Sequence, residues 1–423
     1  MGVNYNYSDN DFSTSGNLDN NTNGRFKHLN INLDIAHQLT EKDQIKFYSW
    51  IFDSERNLPL RRISENRQAY QNFDFRNLVE WENQGENYRS TLRLAYLRED
   101  FSFQENKNRS STTSNLAETL HLRYDFSYQL KKFQFNTLVN YENAWASGDN
   151  LQSDTRSVLA TSLIGKYNFN QKTQFQASAR KEWSNLADSP LLYSVGFNWQ
   201  AFSFYQLKVN ASKNFRIPTF NDLFWGTSGN TSLLPETAQQ YELSNHLKWL
   251  GGSFSATFFY NDINQMIRWM RNQNGIWQPE NVNHVKTYGG EFSSTYQFDL
   301  GAGQLKVNAN YSYTQAINQA TKNQLRYTPV HKANFSTAYA LRKWSFTHQF
   351  LWIGDQFRQT DNDPNQLLKA YYLQHILLSY EFSQQPKMQA GIRVYNLFDT
   401  EYQSVDARPM PGRMFNLEFL IQL

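Results

Sequence analysis

Apolar residues recur at every second position along this chain. Leu305, Val307, Ala309, Tyr311 and Tyr313 alternate with Lys306, Asn308, Asn310 and Ser312, the two-residue period of an extended strand with one apolar and one polar face. Leu29, Ile31, Leu33 and Ile35 repeat the pattern, as do Phe133, Phe135, Val139 and Tyr141, then Phe254, Ala256, Phe258 and Tyr260, and finally Phe415, Leu417, Phe419, Ile421 and Leu423. Such segments predict about twenty strands of roughly ten residues or more, the length a tilted strand needs to cross a bilayer.

The predicted connections alternate in length. Read back from the C-terminus, Asn396 to Gly412 is long, Ser383 to Pro386 short, Gly354 to Lys369 long and Leu341 to Lys343 short. A long link then precedes Pro329, followed by a short one at Asp299 to Gly303, a long one around Asn264 to Asn281, a short one at Leu250 to Gly252 and the longest of this half at Phe215 to Glu236. Short turns on one side and long loops on the other are the asymmetry of an outer-membrane barrel, with turns and both chain ends facing the periplasm. A soluble β-sandwich also alternates, but one of this length needs several domains, and no boundary is visible. Aromatics also gather near segment ends, as in Tyr124, Phe126 and Tyr128 or Tyr371 and Tyr372, where interfacial girdles sit. The pattern predicts an all-β, transmembrane, antiparallel up-and-down barrel forming a single domain over residues 1–423.

Composition agrees. The 423 residues are 39% hydrophobic and 16% aromatic, yet the mean hydropathy of -0.71 and the lack of about 18 consecutive apolar residues exclude helical spans. Without cysteine there is neither a disulfide framework nor a thiolate metal site. The formal charge of +3 arises from 41 basic and 38 acidic residues scattered together, leaving no basic stripe for nucleic acid. The segment from Met1 to Tyr7 has no charged, apolar or cleavage region of a signal peptide, so the expectation is a chain that is not exported or one that starts inside a longer precursor. No Walker-type loop, His-Glu-x-x-His or Gly-x-Ser-x-Gly elbow appears, so no catalytic residue and no cofactor is assigned and the chain is not read as an enzyme.

Ser212 to Leu243 carries a recognisable signature: Phe215-Arg216-Ile217-Pro218-Thr219, then Asp222-Leu223, Gly229-Asn230, Leu234-Pro235-Glu236 and Tyr241-Glu242-Leu243. It resembles the barrel of TonB-dependent outer-membrane receptors. Asn281-Val282-Asn283 with Tyr288-Gly289-Gly290-Glu291, Arg326-Tyr327-Thr328-Pro329 with His331-Lys332, Asn396-Leu397-Phe398-Asp399 with Tyr402, and Pro411-Gly412-Arg413 extend the resemblance in order over residues 205–423. Residues 1–204 agree in texture alone, and Leu423 stands where the family prefers an aromatic. The resemblance implies a location in the bacterial outer membrane among its lipids, insertion by the barrel-assembly machinery, and coupling to the TonB energy-transducing complex through a plug inside the barrel. It also implies about twenty-two strands. Signal peptide, coupling box and plug are not found here, and about two strands are lacking, so the expectation is a fragment with an imperfect seam.

In the signature, Gly229, Gly289, Gly290 and Gly412 are expected to take positive φ at sharp turns, and Pro218, Pro235 and Pro411 to end strand pairing. Arg216 is expected to hold loop carboxylates such as Asp222 or Glu236, a structural role, because a motif common to receptors of different ligands cannot choose among them. Candidate ligand contacts are Trp225, Arg268, Trp269, Arg271 and Trp277, beside two long loops, since aromatic faces with guanidinium groups suit large, partly anionic chelates; interfacial anchoring is the competing role for the tryptophans. Asp355, Asp361 and Asp363 offer oxygens for Ca²⁺ but lack the loop spacing that such a site needs. The expected function is high-affinity uptake of a ferric siderophore or similar metal chelate, with cobalamin as the second choice and a passive wide pore as the reading of another class.

Overall fold

The computed structural model describes residues 1–10, 23–58, 67–107, 112–152, 154–272, 274–406 and 408–422. Twenty strands form one sheet, each antiparallel to the next in sequence, from Gly2–Ser8 to Met414–Gln422. The helix Phe220–Phe224 is five residues long, and among the described residues no helix is long and apolar enough to cross a membrane.

One face of this wall is apolar and outward. Leu94, Leu163 and Ile392 remain 48%, 49% and 54% exposed, which a water-soluble fold would not tolerate in row after row. In hydrocarbon each such side chain gains the roughly 2 kcal/mol that a protein core would give it. Rings bound the band on both sides. Near the short turns lie Tyr167 with Phe169 (4.8 Å between centroids), Phe202 with Phe204 (5.3 Å) and Trp344 with Tyr380 (4.7 Å). Toward the long loops lie Phe258 with Phe292 (5.8 Å) and Phe350 with Tyr372 (6.3 Å). These are the girdles expected of rings whose edges favour the headgroup level.

The other face lines the lumen and is polar. In the first half of the chain it carries a ladder of charge across four neighbouring strands: Lys46 Nζ lies 3.0 Å from Glu80 and 3.1 Å from Glu82, Arg93 Nε 2.6 Å from Glu80, and Arg89 2.8 Å from Glu82. Asp125 closes the ladder between Arg93 and Arg123. Glu80→Ala removes the acceptor of both Lys46 and Arg93 and is expected to cost about 2 kcal/mol, read as a lower chemical-denaturation midpoint; an unchanged midpoint would mean that solvent replaces the carboxylate without loss.

Two details of the wall differ from the sequence expectation. The stretch from Asn264 to Asn281 is not a loop: strands Gly252–Arg271 and Trp277–Leu300 stay paired up to Arg271 opposite Trp277, leaving 272–276 as the connection. Apolar Met266, Ile267 and Val282 there pack over Leu223 or Val285, and a continued ladder satisfies backbone groups that a covered loop would leave orphaned. The second difference concerns glycine. Positive φ occurs at Gly226, Gly251, Gly275 and Gly301, not at Gly229, Gly289, Gly290 or Gly412. Gly289 and Gly290 lie within a strand, and what Gly229, Gly289 and Gly412 require is closeness: a Cβ on Gly229 would come 2.5 Å from the Leu223 carbonyl oxygen, and one on Gly412 2.5 Å from Asp399 Oδ1.

The sheet has two free edges. Gly2–Ser8 pairs with Phe26–Gln38, and Met414–Gln422 with Lys387–Tyr395; among the described residues the first and last strands do not pair with each other. Val3, Phe415 and Leu417 at these edges are 62%, 74% and 81% exposed. Leu423, expected on the same face as Phe415, lies outside the described residues.

Candidate functional site at the outer mouth

The longest loop of the second half, residues 217–235, is folded onto the paired extension above the membrane. Thr219 caps the short helix, and Asp222 answers it as a capping box: Asp222 Oδ2 accepts from Thr219 N (3.0 Å) and Oγ1 (2.8 Å), while Asp222 N donates to Thr219 Oγ1 (3.2 Å). The other carboxylate oxygen accepts from Trp269 Nε1 at 2.9 Å. Asp222 is therefore buried with every partner supplied by the loop and the neighbouring strand.

Arg216 and Glu236 face each other across the base of the loop at 3.3 Å. Glu236 Oε2 also accepts from Ile267 N (3.0 Å), and Arg216 donates to Ile267 O (3.3 Å), so one ion pair closes both backbone groups of a strand residue. Asn281 accepts from Leu234 N and donates to Leu234 O and Gln265 O. Asn230 donates to Pro279 O at 3.0 Å. Leu223, Leu233 and Ile267 form the small apolar core beneath. Phe215 continues the ladder opposite Thr237; Pro218 stands just past the strand that ends at Arg216, and Pro235 just before the one that begins at Glu236.

The closing signature forms a second clamp. Asn396 Oδ1 accepts from Thr400 N (2.9 Å), Asp399 Oδ1 from Arg413 N (2.6 Å), and Arg413 Nη1 donates to Leu397 O (3.4 Å). Gly412 fits against Asp399, Pro411 precedes it, and Phe398 stays 61% exposed. In the same loop Tyr402 packs at a tilt against Tyr371, 4.8 Å between ring centroids, and burial holds its phenol above the usual range.

The candidate ligand residues separate into groups. Arg271 lies 5.6 Å over the Trp277 ring, and Arg326, from the loop before His331, lies 4.9 Å over the same ring while donating to Trp269 O at 3.2 Å. Arg326 was not singled out as a ligand residue in the sequence: it is far from Trp277 along the chain, and nothing short of the loop fold brings them together. Arg268 is half-buried opposite Glu280, Trp269 is engaged with Asp222, and Trp225 bridges to Leu151 instead of joining the cluster. Among the described residues Arg268, Arg271 and Arg326 form no ion pair, so the cluster presents uncompensated positive charge on an aromatic surface. Each cation–π contact contributes about 0.5–2 kcal/mol, more as water is excluded.

The acidic loop does other work. Asp363 accepts from Asn365 N (2.9 Å), Asp355 from Ala370 N (2.7 Å) and Asp361 from Asp363 N (3.1 Å). The Asn365 N–H holds the Asp363 carboxyl below the usual range. Among the described residues no three His, Cys, Asp or Glu side chains converge on a metal position.

Residues 2–397 match the family model described as TonB dependent receptor-like, beta-barrel. The vitamin B12 transporter BtuB of Photobacterium profundum is 29% identical over 284 residues, covering 64% of this chain and 44% of the relative. BtuB of Vibrio vulnificus is 25% identical over 232 residues, 54% of this chain and 36% of the relative. The chain thus spans less than half the length of these relatives. Among solved structures, the copper transporter OprC superposes with a TM-score of 0.81 at 16% identity, covering 98% of this chain and 74% of that one. The ferric enterobactin receptor PfeA superposes with a TM-score of 0.77 at 16% identity, covering 96% and 72%. At such identities these two establish the barrel fold alone. With all of its wall but the last strand matched by the family model, the chain belongs to the TonB-dependent receptor-like β-barrel family of the bacterial outer membrane.

Proposed function

We propose that the chain is the wall of an energised receptor that captures a large anionic metal chelate, a ferric siderophore in the first instance, at the Arg271, Trp277 and Arg326 cluster. The observation that carries this reading is two guanidinium groups over one indole ring, 5.6 and 4.9 Å from its centroid, with no carboxylate among the described residues paired to either. Oxyanions on a chelate surface accept from such forks in a bidentate manner, and the ring adds a flat apolar contact. Energy would come from the TonB complex through a plug in the lumen, whose polar, ion-paired face from Lys46 to Arg123 suits a protein filling as well as water. A wall of twenty strands encloses a lumen wide enough to leak, which favours a plugged receptor over a passive pore. Outer-membrane lipid and the barrel-assembly machinery are the remaining proposed partners.

Cobalamin is the second reading, favoured by the BtuB relatives. Titration of the plug-bearing receptor with a ferric catecholate and with cyanocobalamin separates the two. The expected result is tight binding of the ferric chelate, weakened about a hundredfold when Arg271 and Arg326 are both changed to Gln, at roughly tenfold for each lost charge-assisted contact. Tight cobalamin binding indifferent to these changes would reverse the order.

A further inference from the structure

A second cationic site lies at the outer ends of the first strands. The register sets Phe26, Arg56 and Tyr70 side by side on three adjacent strands, all on the lumen face. They border a cavity of about 440 Å³ that Arg408, from the last long loop, completes. Arg56 lies 5.5 Å over the Tyr70 ring, and Lys107 donates to Asn57 Oδ1, on the cavity wall, at 3.1 Å. Two guanidinium groups thus line one space, with the Lys107 ammonium behind Asn57, and among the described residues no carboxylate lines it. Among the described residues the acidic groups nearby in sequence are engaged elsewhere: Asp9 accepts from the Tyr7 hydroxyl at 2.6 Å, Glu55 pairs with Arg25 and Lys27 at 3.3 and 3.1 Å, and Asp406 with Arg358 at 2.6 Å. Among the described residues Arg56, Lys107 and Arg408 form no ion pair.

Like charges gathered around a recess raise the local concentration of counter-ions, and paired guanidinium forks select planar oxyanions. We propose that this cavity binds an organic oxyanion attached to a flat ring, the anion held by Arg56 and Arg408 and the ring lying against Tyr70 and Phe26. Because Arg408 comes from the last loop and the other three from the first strands, the bound anion joins the two ends of the wall at the mouth, where no ladder joins them. The site is separate from the Trp277 cluster and stands whether or not that cluster takes the cargo.

Salicylate is a suitable probe, with its neutral amide and inorganic phosphate as controls, titrated into the full chain in detergent by saturation-transfer NMR. Salicylate is expected to bind at least tenfold more tightly than salicylamide, which lacks the charge, or phosphate, which lacks the ring. Arg56→Gln and Arg408→Gln should each weaken it about tenfold, Arg408→Lys should weaken it less, and Trp277→Ala should leave it unchanged, which separates this site from the cluster above. Equal binding of salicylamide or phosphate, absence of salicylate binding, or an affinity unmoved by Arg56→Gln and Arg408→Gln together would overturn the proposal. Heat-dependent gel mobility establishes that each variant is folded, and the lysine variant still reads the site where a glutamine variant does not fold.

Discussion

Gly289→Ala is expected to prevent the barrel from assembling, whereas Gly290→Ala one position along is expected to leave it folded. The two glycines are neighbours in one strand, facing opposite sides of the wall. A Cβ on Gly289 would stand 1.9 Å from the Tyr313 carbonyl oxygen and 3.0 Å from the Phe259 ring. The first of these is backbone in the adjacent strand, paired along the whole run from Val285 opposite Asn318 to Leu300 opposite Gly303; it yields only if the ladder separates. That exceeds the about 1–3 kcal/mol of ordinary overpacking. A Cβ on Gly290 would meet only the Phe292 and Phe258 rings, at 3.2 and 3.4 Å, and rings at a lipid boundary can turn aside. The heat-dependent shift in gel mobility and trypsin resistance read the outcome. A Gly289→Ala barrel that folds in normal yield would show that the strands separate more easily than the ladder suggests.

Asp222→Ala is expected to release the outer mouth while leaving the wall intact. The change strands the Trp269 indole N–H, the Thr219 amide and the Thr219 hydroxyl, all bonded to one buried carboxylate. At about 1–3 kcal/mol for each buried donor left unsatisfied, three donors lose at least about 3 kcal/mol, enough to open a loop held by a five-residue helix and a three-residue core. Hydrogen exchange should speed up in residues 217–235 and 264–271 with the strands below unchanged, and added protease should cut in the loop. Asp222→Asn should fall between, because its oxygen still serves Trp269 but its amide group faces the Thr219 donors. Wild-type protection in Asp222→Ala would mean that Leu223, Leu233 and Ile267 hold the loop without the carboxylate. Since Arg326 is bonded to Trp269 O, the same variant should weaken chelate capture without touching a chelate contact.

The wall was legible because its two faces meet solvents of opposite kind. Leu305 to Tyr313 must alternate when lipid lies on one side and a wet lumen on the other, and no tertiary contact is needed to predict it. Aromatic girdles and the rhythm of connections follow from the same boundary. What was not legible depended on register or on loop folding. Gly289-Gly290 read as a turn because adjacent glycines usually mark one, and their strand role appears only when Tyr313 is set beside them. The stretch from Asn264 to Asn281 read as a loop because polar Asn, Gln and Gly outnumber its strand formers, yet the loop packed on it keeps it paired. The Lys46, Glu80, Arg93 and Asp125 ladder is drawn from four strands, so no local spacing announces it. Of the site, Arg271 and Trp277 were within reach because five residues separate them, while Arg326 and Arg408 arrive from distant loops and the alternation carries no information about where loops fold.

The unpaired seam has a direction. The link from Ser8 to Phe26 and the link from Tyr395 to Met414 both lie on the long-loop side, so the first strand runs toward the outside and the last runs back from it. The two edges are therefore already antiparallel to each other. A single added strand would have to lie parallel to one neighbour, against the sense of every other pair in the sheet. Whatever fills the seam comes as whole hairpins, with both of its ends on the periplasmic side, and the polypeptide supplying it never has to cross the mouth where the arginines stand.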